Sequence, residues 1–502
     1  MILVLTVPLA GAAIVMLFGD AVPTQSRLFA IAAAAAALGG AAWGSVRSIS
    51  GDSVEWRGGF AMDPLRGILV FGALLVCASA VARGERAPRP SHARAGIFAA
   101  TAASIVPLLV TGSHLLAVAL PVGTVGIALA SYAASDATSR LLHAARAVSG
   151  LALSDALALV ALGLAIDKGT AFPPHLSTLA ASLLLAAAVI RLGLVPFGPS
   201  RDAHDTDVAA GLVWLGPIRA QGFLLAIFAV GAHRSVAYAA AAIAVLSIVV
   251  SAAAMTERGR GETAAAIGAG IGLLGFALGG PTPIWGAGLA VVATFAGAAA
   301  WGAGGGWSAL ARGTLAALPA GGLLAAATLV VGATFGASSS EPWFLALAVP
   351  ATAGLLVAGA RIWVVSNEPQ VSGTSALAGA VGVSAGLALA ALPIRSASWL
   401  GEPVARTLGV GRLLSVGGEP GVAAGFAIVV MGAALVAFLI GPGHTVGDLA
   451  TGELGRPPEP EGVAAPATAD VRRWTYAAMF LIAVSLGVAV RVYLSAANRG
   501  FL

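Results

Sequence analysis

The sequence predicts an all-α polytopic membrane protein with about 14–16 transmembrane helices. Of its 502 residues, 58% are apolar and only 10% charged, and the mean hydropathy is +0.94. A soluble domain gives roughly a quarter of its residues to charge, so this chain cannot cover a water-facing surface. Apolar stretches of about 18–22 residues recur from end to end, close to the ~20 residues a helix needs to cross ~30 Å of hydrocarbon. These stretches are continuously apolar rather than alternating, which argues against a β-barrel.

In chain order the spans fall near 2–18, 28–46, 65–82, 95–112, 115–134, 147–166, 177–196, 209–231, 235–254, 263–280, 285–302, 314–335, 342–364, 373–393, 421–440 and 474–494. The first lacks a basic leader and a convincing cleavage site, so it is expected to be a retained helix. The third holds Cys77, the single cysteine, so no disulfide or cysteine metal site can form within the chain. Small-residue runs such as "AIAAAAAALGGAAWG" suit closely packed membrane helices. The polar stretch 441–473, with "GRPPEPEGVAAPATAD", reads as an extended linker between the last two spans.

The net charge is +5 and the pI about 10.1. In a soluble chain this would suggest nucleic acid, but here the arginines are carried by loops and serve orientation. Arg83, Arg86, Arg89 and Arg94 follow the third span, Arg140 and Arg146 the fifth, and Arg258 and Arg260 the ninth. The loops after spans four, ten and twelve carry none. The positive-inside rule then puts the N-terminus on the outer side of the cell inner membrane. No nucleic-acid partner is expected.

Gly270, Gly272 and Gly275 have the spacing of a dinucleotide-binding loop, but they lie inside an apolar span with no preceding strand. Close helix packing is the expected reason for them. The histidines are scattered near span ends, and no metal or cofactor site is expected. Ionisable groups inside spans say more, because burying one in lipid costs at least several kcal/mol. Three stand out: Asp155 in "LALSDALALV", Arg191 in "VIRLGLVPF" and Arg219 in "LGPIRAQGF". Each is either a structural ion pair or snorkelling group, or the lining of a polar cavity. Pro196 and Pro199 predict a helix break beside Arg191. Irregular backbone at that depth must be satisfied by protein or water, the usual architecture of a midplane transport site.

The order of these features resembles the antiporter-like membrane subunits of respiratory complex I, membrane-bound hydrogenases, multisubunit sodium/proton antiporters and inorganic-carbon accumulation complexes, with the L-type subunit the nearest kind. The resemblance runs from about residue 55 to 365. "GFAMDPLRGILV" resembles the segment where an acid precedes the third helix, with Asp63 in its place. "RAVSGLALSDALALVALGLAI" resembles the sixth helix, with Asp155 on the family's Asp. "RLGLVPFGPSRDA" resembles the family's Lys-to-Pro-Phe segment, which places Arg191 on its central lysine and matches Pro196 and Phe197. Other proton-carrying positions are replaced. The helix-five glutamate falls on Val125, the helix-eleven histidine on Val292 and its lysine near Ala296, and the helix-twelve lysine near Ala326, while Pro319 fits the second broken helix.

The resemblance implies two inverted five-helix repeats, 95–231 and 235–364, each with a broken helix, around Pro196 and Pro319. Residues 1–94 would be N-terminal helices and 373–502 C-terminal helices with the 441–473 linker. It also implies a non-catalytic, cofactor-free subunit beside other hydrophobic subunits of a complex I-like (NADH-quinone oxidoreductase-like), hydrogenase-like or carbon-uptake assembly. A partial ion path would run through Asp155, Arg191, Arg219 and the loop acids Asp202, Asp205 and Asp207. Lysine titrates when its surroundings favour it, whereas arginine stays protonated in essentially any protein setting. Reduced or lost independent proton pumping is therefore expected. The alternatives are a stand-alone secondary carrier for a small anionic solute, using Arg191 and Arg219, and a membrane scaffold that recruits a soluble enzyme.

Overall fold

The computed structural model describes residues 2–363 except 50–53, 57–58, 84–88, 135–139, 167–175, 195–213, 254–259, 301–321 and 339–340. The three spans and the linker expected beyond residue 364 lie outside the described residues. The described residues form thirteen α-helices and one short hairpin. The helices are α1 (Ile2–Phe18), α2 (Pro23–Ile49), α3 (Pro64–Arg83), α4 (Pro90–Leu109), α5 (Ser113–Ala134), α6 (Arg140–Ile166), α7 (Thr178–Leu192), α8 (Arg219–Ala232), α9 (Arg234–Ala253), α10 (Arg260–Leu278), α11 (Pro281–Ala300), α12 (Gly322–Ala337) and α13 (Leu345–Trp363). Each coincides with one of the first thirteen apolar spans. The chain is an all-α polytopic membrane protein. Five helices, α2, α3, α4, α5 and α9, are long and apolar enough by themselves to cross a membrane. Others, such as α7, α8 and α12, have 14–16 residues.

Helix starts follow local chemistry. Four helices begin on proline (Pro23, Pro64, Pro90 and Pro281), whose fixed φ and missing N–H suit the first turn. At α3, Asp63 caps the helix by accepting from the Arg66 backbone N–H at 2.8 Å. The Arg66 side chain lies 3.5 Å from the Asp63 carboxylate and donates to Val110 O at 3.2 Å. The hairpin of β1 (Val54–Trp56) and β2 (Phe60–Met62) turns through Gly59 at φ +80°. Thr111 N–H donates to Gly59 O at 2.8 Å, so the hairpin joins the start of α3 to the end of α4.

Neighbouring helices in sequence pack against each other, and α3 also meets α11. That contact is close because Gly72 has no side chain: a Cβ there would fall 2.0 Å from Phe295 Cδ2. Phe223 of α8 sits edge-on to Phe276 of α10 and Phe295 of α11, both at 6.3 Å between centroids. The glycine triplet in α10 also serves packing: Cβ atoms at Gly270, Gly272 and Gly275 would meet Ile248, Phe223 and Pro283 at 2.6–2.8 Å. Arg83, Arg89, Arg140 and Arg260 lie at or beside helix ends. At other helix ends His233 Nε2 meets Leu176 O at 2.8 Å, and Arg234 lies 3.6 Å from Glu341.

Candidate functional site

The site grows from the way α7 ends. Ser177 caps its start by accepting from Ala180 N–H at 3.3 Å. At the other end Gly193 adopts φ +67° and donates to Ile190 O at 3.1 Å, while Leu194 N–H reaches back to Val189 O at 3.1 Å. This pair of bonds is the Schellman closure, in which a left-handed residue stops the helix and satisfies its last carbonyls. The described helix therefore stops at a glycine three residues before Pro196. Pro196 itself, Pro319 and the loop acids Asp202, Asp205 and Asp207 lie outside the described residues. Stopping there leaves Arg191 in the last turn, with no solvent exposure. A cation beside the carbonyl end of a helix is favourably placed.

Ser154 of α6 donates its hydroxyl to Ala187 O at 2.9 Å, which fixes α6 against α7 and turns the next residue, Asp155, towards Arg191. Arg191 Nη2 donates to Asp155 Oδ1 in a buried ion pair; the Asp155 side chain keeps 11% exposure. Arg191 Nη1 donates to Gln221 Oε1 of α8. Gln221 is fully buried, and its Nε2 donates to Ser104 O of α4 at 2.8 Å. One row of polar groups thus crosses four helices: Asp155, Arg191, Gln221 and the Ser104 carbonyl. An isolated charge in this interior would be prohibitive, and pairing with further hydrogen bonds is what makes it tolerable.

Arg219 opens α8 after a wide helical turn at Trp214–Ile218. It too is fully buried, and its Nε donates to Leu192 O at 3.1 Å. The two sides of the break are therefore joined at their base. Small residues leave the room needed. A Cβ on Gly222 would fall 2.9 Å from Leu192 Cγ and 3.0 Å from Leu192 N, and one on Gly123 2.7 Å from Gln221 Nε2.

Of the residues singled out from sequence, Asp155 and Arg191 come together and Arg219 stands beside them at the break. Gln221 and Ser104 escaped notice, because only charged residues were sought within the spans. The signal for Gln221 is an amide near the start of the otherwise apolar "AQGFLLAIF" of α8, which needs a partner when buried. The replaced positions are apolar in fact as well as in alignment. Val125 points outward at 56% exposure, and Val292 and Ala326 are buried. In α11 and α12 the buried polar side chains among the described residues are Thr294 and Thr334. Both return their hydroxyls to their own helices, at Ala290 O (2.6 Å) and Val330 O (2.8 Å).

No family model matches the sequence, and no curated protein matches it. Solved structures do. The chain superposes on a chain of the Mrp complex from Dietzia sp. DQ12-45-1b with a TM-score of 0.69 at 17% identity, over 95% of this chain and 59% of that one. It superposes on a chain of the membrane-bound sulfane sulfur reductase, an archaeal respiratory membrane complex, with a TM-score of 0.64 at 12% identity, over 82% of this chain and 98% of that one. The chain spans 59% of the length of the Mrp chain. At these identities the likeness is one of fold: this chain shares the fold of those two chains.

Proposed function

We propose that the protein is an antiporter-like membrane subunit of a multisubunit respiratory, hydrogenase or carbon-uptake complex, and that it has lost independent proton pumping. It lies in the cell inner membrane with its N-terminus outside and carries two inverted repeats, 95–231 and 235–364. The observation that carries the reading is the Asp155–Arg191–Gln221 row. At the point where the resemblance implies a titrating lysine stands a permanent cation, already engaged by a carboxylate and an amide. The apolar Val292 and Ala326 in the second half support it.

The carrier alternative needs Arg191 and Arg219 free to grasp an anion. Arg191 spends two of its donors on Asp155 and Gln221, and the Arg219 Nε is held by Leu192 O, which favours the subunit reading.

The test is mild-detergent purification of the tagged chain from its native host, with mass spectrometry of what accompanies it. Co-purifying hydrophobic subunits of such a complex are the expected result. Recovery of the chain alone, as monomer or homodimer, overturns the subunit reading in favour of the carrier. Proteoliposomes of the purified chain should show no proton flux above empty vesicles.

A further inference from the structure

A missing relay group does not by itself make a membrane protein proton-tight, because ordered water can carry protons where side chains cannot. The described site contains a side chain placed to prevent this. Gln221 occupies the gap between Arg191 and the α4 backbone, accepting from the Arg191 Nη1–H through Oε1 and donating to Ser104 O through Nε2 at 2.8 Å. A donor on one side and an acceptor on the other is the pair of partners that a bridging water would satisfy. The carboxamide makes both bonds, but it holds no proton that it can release. It is fully buried, and Gly123 leaves the space its Nε2 fills.

We propose that Gln221 is the water seal of this site, a positioning residue that holds the place of a bridging water and keeps the Arg191–Asp155 pair dry on its α4–α5 side. This deepens the reading of the chain as non-conducting and rests on it. Among the described residues the charged groups at this point are Asp155, Arg191 and Arg219.

The experiment compares Gln221→Ala with Gln221→Leu in the full-length chain. Alanine vacates more than the roughly 30 Å³ that a water occupies in the liquid, with Arg191 Nη1–H and Ser104 O as its partners. Leucine fills the gap with apolar atoms and stays dry. Two readouts are taken: hydroxyl-radical labelling of the residues around the site, and passive proton entry into phosphatidylcholine/phosphatidylglycerol vesicles carrying a trapped pH dye. Gln221→Ala should raise the labelling about tenfold and leave proton entry at the wild-type level, because Val292 and Ala326 keep the second half apolar. Gln221→Leu should match the wild type in both, yet unfold more readily than Gln221→Ala, because it leaves two buried polar groups unpaired.

Equal labelling of the two variants, or wild-type labelling in a folded Gln221→Ala protein, overturns the seal. So does failure of Gln221→Ala to fold, since a hydrated variant leaves no group unsatisfied. Proton entry through the unaltered chain would instead overturn the non-conducting reading, and radical labelling would still judge the seal.

Discussion

Arg191 is fixed by what surrounds it, and substitutions there should follow the arithmetic of buried pairs. Removing one member of such a pair leaves an uncompensated charge and costs about 3–5 kcal/mol, whereas replacing both by apolar groups of similar volume is often nearly neutral. Asp155→Leu and Arg191→Met should each lower stability by about that range, and the double variant should lose much less than the sum. Unfolding in mixed micelles on titration with sodium dodecyl sulfate, run as a double-mutant cycle, measures this; additive losses would mean that the two side chains do not interact. The charged members of the site were legible in the sequence because a lone ionisable residue in an apolar span demands an explanation. Gln221 is legible only as an amide in need of a partner, and the Ser104 carbonyl not at all, because their pairing exists only once α4 and α8 are side by side.

At the scale of the element, the end of α7 decides where that charge sits. Gly193 holds φ +67°, a conformation that costs a residue with a Cβ about 1 kcal/mol or more and asparagine less. Gly193→Ala should therefore lower the unfolding midpoint more than Gly193→Asn, as followed by circular dichroism in detergent. Gly222→Ala should cost more than either, because its Cβ would meet the Leu192 backbone N at 3.0 Å and force α8 away from α7. The sequence placed the elements better than their ends. All thirteen described helices were visible as apolar spans, yet α4 starts at Pro90 rather than near 95. The cause is a proline that opens the helix among polar residues that hydropathy disregards. Gly193 closes α7, while the break expected at Pro196 lies outside the described residues. The hairpin at 54–62 has strands of three residues each, too short to register as a pattern against the membrane spans on either side.

At the scale of the whole molecule, Arg83, Arg89, Arg140 and Arg260 stand at or beside ends of α3, α4, α6 and α10, and Arg234 opens α9. In the proposed orientation, with the N-terminus outside, the positive-inside rule has the ends bearing Arg83, Arg89, Arg140 and Arg260 facing the cytoplasm. Cys77 is buried, so single added cysteines can be read against it. In intact cells a membrane-impermeant maleimide should label Glu341→Cys, and should label Arg89→Cys only after permeabilisation; the reverse pattern would invert the topology. The same view separates the two halves chemically. Among the described residues the first half holds two buried cations, Arg191 and Arg219, with an acid and an amide, whereas α11 and α12 bury apolar side chains and two self-satisfied threonines. A continuous path needs groups or water in both. Arg191→Lys restores a titratable side chain in the first half alone, so it should leave proton flux in proteoliposomes at the level of the unaltered chain. Lysine, with a single ammonium in place of the planar fork, also cannot keep both the Asp155 and Gln221 bonds in their present directions, so this variant should be less stable than the native chain. If Arg191→Lys alone conducts protons, then the apolar second half is no barrier, and the loss of pumping lies at this one residue.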